Sequence, residues 1–242
     1  MIHLTHTEPE VSLVLPAYNE AEDLERAVEV ALIELHNVSP SFEIIIAEDG
    51  SSDGTDAVAR DLATVHPEVR HLHSTQRLGR GKALNTAFKE SHGTILVYMD
   101  VDLASDISQL LALVDSIRGG ADIATGSRML PGSRVKRSRR RGFASWWYNS
   151  LIRALFNSPV HDHQCGFKAF NRARLMEYID EVEDTHWFWD TEVLIRGVLH
   201  GHNVEELPIE WSEGRGTKVN LLKDSWRMGS KALRLRWRMR VT

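Results

Sequence analysis

Two aspartates one residue apart, Asp100-Val101-Asp102, form the pair in this chain best suited to chemistry. They follow the run Thr94-Ile-Leu-Val-Tyr-Met99, whose β-branched and aromatic bias reads as a buried strand. Side chains at i and i+2 share a side, so the strand would deliver both carboxylates to its carboxyl edge. In open α/β sheets that edge is where ligands sit. Neighbouring carboxylates repel, and a hard divalent ion such as Mg²⁺ or Mn²⁺ relieves the repulsion. The plain alternative is a solvated pair leading into a helix that begins near Asp106.

Polar residues recur where other apolar runs end: Tyr18, Asn19 and Glu20, then Glu48 and Asp49, then Arg128. Carboxylates such as Glu20 and Asp49 are suited to accept hydrogen bonds from ribose hydroxyls or a base N–H. Gly79-Arg-Gly81-Lys82 would let backbone and the Lys82 cation approach a diphosphate at a helix N-terminus. It is not a Walker sequence, and no G-x-G-x-x-G follows the first strand, so the ordinary P-loop and dinucleotide readings fail.

The elements that must position these groups alternate. Val11 to Leu15 is a short strand closed by Pro16, and Asn19 with Glu22 has the spacing of a capping box. Leu24, Ala27, Val28, Ala31, Leu32 and Leu35 then recur at helical spacing. Phe42 to Ile46 and Val69 to His73 read as further strands. Between them lie a turn-and-cap cluster, Ser51 to Thr55, and a helix face of Val58, Leu62 and Val65. Ala83, Leu84, Ala87 and Phe88 form the next helix face, and Leu110, Leu111 and Val114 another, before a strand over Ala121 to Ala124. Strands separated by single helices predict an α/β, Rossmann-like fold: a mostly parallel central sheet with helices on both faces.

At 242 residues the chain suits one large domain with an appendage. A net charge of −5 argues against a nucleic-acid partner. The single Cys165 cannot form an intramolecular disulfide. No apolar run reaches the ~18 residues of a membrane span, and residues 1–10 lack a signal-peptide core. A cytoplasmic, non-spanning chain is expected. The pairs His71/His73, His161/His163 and His200/His202 have no Cys or Glu at ligand spacing in the sequence, so hydrogen-bonded or surface histidines are expected there.

Leu15-Pro-Ala-Tyr-Asn-Glu20, Ala47-Glu-Asp-Gly-Ser-Ser-Asp-Gly-Thr55, Gly79-x-Gly-Lys-Ala-Leu-Asn85, Asp100-x-Asp102 and Gly126-Ser-Arg128 together resemble the ordered motifs of family-2 inverting glycosyltransferases of GT-A type. The resemblance covers residues 11–220 as a catalytic domain, with a basic amphipathic helix over 221–242. It implies that Pro16, Tyr18, Glu20, Ala47 and Asp49 contact base and ribose. It implies too that Asp100, Val101 and Asp102 serve the nucleotide, the two aspartates through Mg²⁺ or Mn²⁺ on the donor diphosphate. His161-Asp-His-Gln-Cys-Gly-Phe-Lys-Ala-Phe170, Trp187-Phe-Trp-Asp-Thr-Glu192 and Glu210-Trp-Ser-Glu-Gly-Arg-Gly-Thr-Lys218 are similar to segments of the dolichyl-phosphate glucosyltransferase branch. Ala104 stands where related mannose synthases carry a metal-binding Gln, so water, phosphate or Asp106 would complete the ion's shell.

A polyisoprenyl phosphate acceptor fits the basic run Arg134, Lys136, Arg137, Arg139, Arg140 and Arg141, which precedes Phe143, Trp146, Trp147, Leu151, Ile152, Leu155 and Phe156. Cations ahead of an aromatic amphipathic helix are the pattern of a segment lying in a membrane interface. Trp226, Met228, Leu233, Leu235 and Trp237, laced with arginines, form a second such stretch. The expected reaction is attack by the lipid phosphate on the anomeric carbon of a UDP-hexose, with inversion, on the cytoplasmic face of a membrane. A phosphate monoester with second pKa ~6 arrives ionised and needs no strong base. Arg128, Arg134, Arg141 and Gln164 are candidates for gripping the acceptor, Lys218 for closing over the donor, and Asp190 for orienting a hydroxyl. Alternatives are GDP-mannose as donor, a saccharide hydroxyl as acceptor with Asp190 as base, or an inactive sugar-nucleotide-binding scaffold.

Overall fold

A computed structural model of the chain describes residues 8–213 and 221–239. Chain order is β1 (Val11–Ala17), α1 (Leu24–Val38), β2 (Phe42–Asp49), α2 (Thr55–Val65), β3 (Val69–Ser74), α3 (Arg80–Glu90), β4 (Ile95–Met99), α4 (Leu110–Arg118) and β5 (Ile123–Ser127). There follow β6 (Arg134–Lys136), α5 (Arg139–Phe156), β7 (Phe167–Asn171), α6 (Arg172–Met176), α7 (Trp189–Leu199), β8 (Val204–Pro208), β9 (Glu210–Ser212) and α8 (Leu221–Arg238). Seven strands form one sheet in the order β3-β2-β1-β4-β7-β5-β8.

The pleat explains both cores. Leu13, Leu15, Ile44, Ile46 and Val97 face α1 and α4, packing on Leu24, Val28, Leu110 and Val114. Their neighbours Val14, Ile45, Leu96 and Tyr98 face the other side, against Leu84, Phe88, Trp189 and Val193 of α3 and α7. A sheet covered on both faces requires near-continuous apolar strands, and β1, β2 and β4 have them. Val65 and Leu111, expected on inward faces, are exposed at the helix rims.

Three details depart from the expected elements. β1 does not close at Pro16 but runs to Ala17, with Pro16 opposite Ala47. Its β4 ladder has already ended at Val14, so the missing proline N–H interrupts nothing on that side. Asn19 is not a helix cap, because α1 starts at Leu24 behind Asp23. Instead Asn19 adopts a left-handed backbone, φ 55°, and straps two turns together. Its Oδ1 accepts the Ser52 N–H at 2.9 Å and its own N–H donates to Ser51 Oγ at 3.0 Å. Third, β7 runs antiparallel between β4 and β5, pairing Met99 with Phe167 and Thr125 with Lys168. This reversal brings the segment before β7, residues 162–166, to the carboxyl edges of β4 and β5.

A two-stranded β6–β9 ribbon sits beside that edge. It is stitched to the turn after β4 by Ser212 N–H to Ala104 O at 2.8 Å and Asp106 N–H to Glu210 O at 3.0 Å. α5 and α8 share a separate small core of Tyr148, Ile152, Ala232 and Leu235 with Phe188 and Ile195.

Candidate active site

The β4 edge carries a chain of alternating charges. Asp100 Oδ1 accepts from Arg80 Nη2 at 2.6 Å, and Arg80 Nη1 donates to Asp190 Oδ2 at 2.7 Å. Asp190 Oδ1 in turn accepts from Lys168 Nζ at 2.7 Å and from the Tyr98 hydroxyl. Lys168, fully buried in β7, donates also to the Cys165 carbonyl. Two carboxylates thus meet two cations, which is what allows so many charges at low exposure. Burial opposes the charge on Arg80, yet Asp100 and Asp190 hold its guanidinium above the ordinary range. Burial pushes the Asp190 carboxyl up to about 6 against the pull of Arg80, and pushes the Lys168 ammonium down to about 7. The Arg80 guanidinium lies 5.2 Å from the Tyr98 ring centre and 5.1 Å from that of Trp187.

Asp100 Oδ2 rests directly over Gly166, where any Cβ would strike the carboxylate. Asp102 follows in a tight turn in which Leu103 has φ 52°, and its Oδ1 accepts the Ala104 N–H at 3.0 Å. Partial desolvation, then the Asp100 charge, hold the Asp102 carboxyl above its ordinary value although the residue is open at the surface. Two crowded carboxylates, one of them reluctant to ionise, suit a hard divalent cation of the Mg²⁺ or Mn²⁺ kind. Asp106 caps the following turn, accepting the Ser108 N–H at 3.0 Å.

Beside this pair lies a cluster of cations around Arg128. Arg128 forms a fork with buried Asp162, Nε to Oδ2 at 2.7 Å and Nη2 to Oδ1 at 2.9 Å, leaving Nη1 outside the pair. Burial works against both charges. Asp162 holds the guanidinium above its ordinary range, with Asp100 contributing, and Arg128 holds the Asp162 carboxyl far below its own. The Arg128 guanidinium packs 5.4 Å from the Trp211 ring centre. Arg137 sits close enough that burial and then Arg128 lower its pKa. Gln164 borders this region, its N–H on Asp162 Oδ1 at 3.1 Å and its Oε1 accepting from Ser145 Oγ at 3.2 Å.

The remaining candidates fall in three groups. Pro16, Tyr18, Glu20, Ala47 and Asp49 gather at the β1 and β2 edges, with Val101 buried beneath the Asp100 turn. Asp49 is already engaged, its oxygens accepting the Leu78 and Gly79 N–H groups at 2.6 and 2.8 Å, so it shapes the loop entering α3. Arg77 of that loop stacks 3.8 Å over the Tyr18 ring centre. Lys82 does not join Asp100. Two positions along a helix is about 200° of rotation, and Lys82 lines a groove of about 260 Å³ with Asn85, Thr86 and residues 182–185. The cation of this loop that meets the aspartates is Arg80. Arg134 and Arg141 pair with Glu210 and Glu213, fastening the ribbon, whereas Arg137 of the same run reaches Arg128. Lys218 lies outside the described residues.

Arg80, Lys168 and Tyr98 were not singled out from the sequence, whereas Arg137 belongs to the basic run already read as acceptor-binding. Lys168 did leave a signal there, as a lone cation in the apolar strand Phe167-Lys-Ala-Phe170.

The Glycosyl transferase family 2 profile matches residues 12–179. Glycosyltransferase AglD of Haloferax volcanii is 48% identical over 96% of this chain, which spans 38% of that relative's length. Polyprenol monophosphomannose synthase of Mycolicibacterium smegmatis is 33% identical over 83% of this chain and 77% of its own length. Dolichyl-phosphate beta-glucosyltransferase of Saccharomyces cerevisiae is 28% identical over 97% and 76%. Among solved structures, mannosyltransferase PcManGT of Pyrobaculum calidifontis, in complex with GDP-Man and Mn²⁺, superposes with TM-score 0.64 at 22% identity, covering 98% of this chain and 65% of that one. Glucosyl-3-phosphoglycerate synthase of Mycobacterium tuberculosis, with Mn²⁺ and UDP, gives 0.68 at 18% over 95% and 80%. These structural likenesses establish the fold, of GT-A type. With a profile covering most of its length and a relative 33% identical that the chain covers to 77%, the chain belongs to glycosyl transferase family 2.

Proposed function

We propose that this chain transfers a hexose from a nucleoside diphosphate sugar to a polyisoprenyl phosphate at a membrane surface, with inversion at the anomeric carbon. The observation that carries the reading is the adjacency of two opposite sites. The Asp100–Asp102 pair suits a metal-bound diphosphate, and the Arg128–Arg137 cations suit an anionic acceptor. Asp100 is near enough to Arg128 to add to the field on it.

In this reading Asp100 and Asp102 hold the divalent ion, which supplies charge neutralisation for the departing diphosphate. Arg80 fixes Asp100 and is itself fixed by Asp190, so the carboxylate facing the ion does not reorganise during the reaction. Pro16, Tyr18, Glu20 and Ala47 line the nucleotide side, with Asp49 and Val101 acting through the backbone they support. Arg128, its fork locked by Asp162, offers Nη1 to the acceptor phosphate together with Arg137, and Gln164 borders them. The acceptor oxygen is already anionic and attacks without a base. Asp190 supports this view. It is 3% exposed and bonded to Arg80, Lys168 and Tyr98, which is the environment of a positioning group rather than of a base for a saccharide hydroxyl.

The membrane surface is supported by Phe143 and Trp146, stacked at 6.1 Å, and Trp147, all more than half exposed on the first turns of α5. Arg139 and Arg140 lie exposed beside them, and Trp237 of α8 is 68% exposed. Among the described residues no helix is long and apolar enough to cross a membrane. We place the chain at the cytoplasmic face, as a peripheral protein, on the strength of its nucleotide-sugar donor. UDP-glucose is the first donor proposed. GDP-mannose is the second reading, favoured by the 33% identity to a relative named a polyprenol monophosphomannose synthase.

Purified protein would be incubated with labelled UDP-glucose or GDP-mannose, Mn²⁺ and vesicles containing a polyprenyl phosphate. Metal-dependent label in the lipid phase is expected. Label reaching only a soluble saccharide, or none with either donor, would overturn the reading.

A further inference from the structure

Outside the sugar-transfer site, the outer edge of the sheet gathers four side chains of metal-ligating type. Glu48 is the penultimate residue of β2, opposite His73 on β3. His71 lies two residues before His73 and so on the same side of the strand, and Asp56 opens α2 above them. One ligand atom from each of the four lies within 4.8 Å of every other. His73 Nδ1 is 2.6 Å from Glu48 Oε2 and 3.2 Å from Asp56 Oδ1, and His71 Nε2 is 3.6 Å from Asp56 Oδ1. Sequence spacing missed this group because its carboxylates come from two other elements.

Two of its atoms point to a ligand. Asp56 Oδ1 and His71 Nε2 are shielded from solvent, face each other, and lack a hydrogen-bond partner. An orphaned buried acceptor is costly, and a 3.6 Å gap is too long for a proton to bridge. Each carboxylate also has its other oxygen tied down: Glu48 Oε1 accepts the Ser51 N–H at 2.5 Å, and Asp56 Oδ2 accepts from Arg60 Nη2 at 2.5 Å. Outer partners of this sort aim the inward oxygens.

We propose that Glu48, Asp56, His71 and His73 bind a divalent transition metal of the Zn²⁺ class, which staples edge strand β3 to the loop that follows β2. Two imidazoles and two carboxylate oxygens match such an ion and not Mg²⁺, which prefers an all-oxygen shell. Tetrahedral ligands at ~2.0–2.1 Å from Zn²⁺ stand ~3.3–3.5 Å apart. The separations of 3.2 and 3.6 Å lie close to that spacing. The Glu48–His73 contact opens by under 1 Å, and the widest pair, up to 4.8 Å apart, closes by up to about 1.5 Å. Through Ser51, which also holds Asn19, the metal would stiffen the turn next to Asp49.

Untagged protein, stripped by chelator and returned to excess Mg²⁺, would be titrated with Co²⁺ and then Zn²⁺. One equivalent of Co²⁺ is expected to give visible ligand-field bands that Zn²⁺ abolishes. Zn²⁺ at about 100-fold over its Kd should raise Tm by about 5–10 °C. His73→Ala, at a side chain 40% exposed and tolerant of change, and Asp56→Asn should each lose bands and Tm shift while keeping a native circular dichroism spectrum. Asp102→Ala should keep both, which separates this site from the sugar-transfer site. Bands surviving in both His73→Ala and Asp56→Asn overturn the proposal. So does natively folded wild type that shows no bands and whose Tm does not respond to Zn²⁺.

Discussion

At the scale of the residue, the account turns on which charges are fixed and which are available. On the proposed assignment, replacing Asp102 by Ala removes a ligand of an ion that would supply several kcal/mol in the transition state. Transfer should fall by about 10³-fold or more with circular dichroism unchanged, and activity within a few-fold of wild type would remove the metal assignment. Arg80→Lys keeps a cation but not the fork that spans Asp100 and Asp190. A drop of about 10–100-fold in kcat is expected, with KM for the donor little altered. The Asp190 carboxyl, raised to about 6 by burial, must be ionised to hold Arg80, so kcat should fall as pH drops through about 6. Asp190→Asn should lack that acid limb. Arg80 and Lys82 also mark where sequence reading stopped. Both are cations in one glycine-rich loop, and only the helix rotation decides which of them meets the aspartates.

At the scale of the element, the antiparallel β7 is the decisive insertion. It carries Lys168 under Asp190 and places Gly166 under Asp100, while the loop before it supplies Asp162 to Arg128. The alternation of strand and helix through β5 was legible because each run has its own period and its own turn residues. The direction of β7 was not, since a five-residue apolar strand reads the same both ways. The strap at Asn19 was hidden for a related reason: its spacing to Glu22 mimics a capping box, and its true partners are 32 and 33 residues away. The Arg128–Asp162 pair gives a stability test. Arg128 holds the Asp162 carboxyl below its ordinary value of 3.8, so its stabilising contribution is present above about pH 4 and is lost as pH falls below that. Asp162→Asn leaves Arg128 buried without its countercharge and should lower stability by about 3–5 kcal/mol at neutral pH. Its acid limb in urea denaturation should be flatter than that of the wild type, and an equally steep limb would place the acid sensitivity elsewhere.

At the scale of the whole molecule, the Asp100–Asp102 edge and the exposed aromatics of α5 are the two surfaces that the proposal assigns to a soluble donor and a lipid acceptor. The cations of the basic run divide: Arg134 and Arg141 pair with Glu210 and Glu213, Arg137 lies near Arg128, and Arg139 and Arg140 remain exposed. Reversing Arg139 and Arg140 to Glu should therefore weaken binding to anionic vesicles by about five-fold or more per cation, with the wild-type affinity itself falling as salt rises. Trp146→Ala with Trp147→Ala should weaken binding at every salt concentration. Unchanged sedimentation with vesicles in both variants would remove the interfacial role. The most direct test of the central claim is a crystal of the protein soaked with UDP and Mn²⁺ and read by anomalous scattering. The account expects a manganese peak bonded to a carboxylate oxygen of the Asp100–Asp102 pair and to the diphosphate. A peak elsewhere, with that pair turned away from the nucleotide, would contradict it.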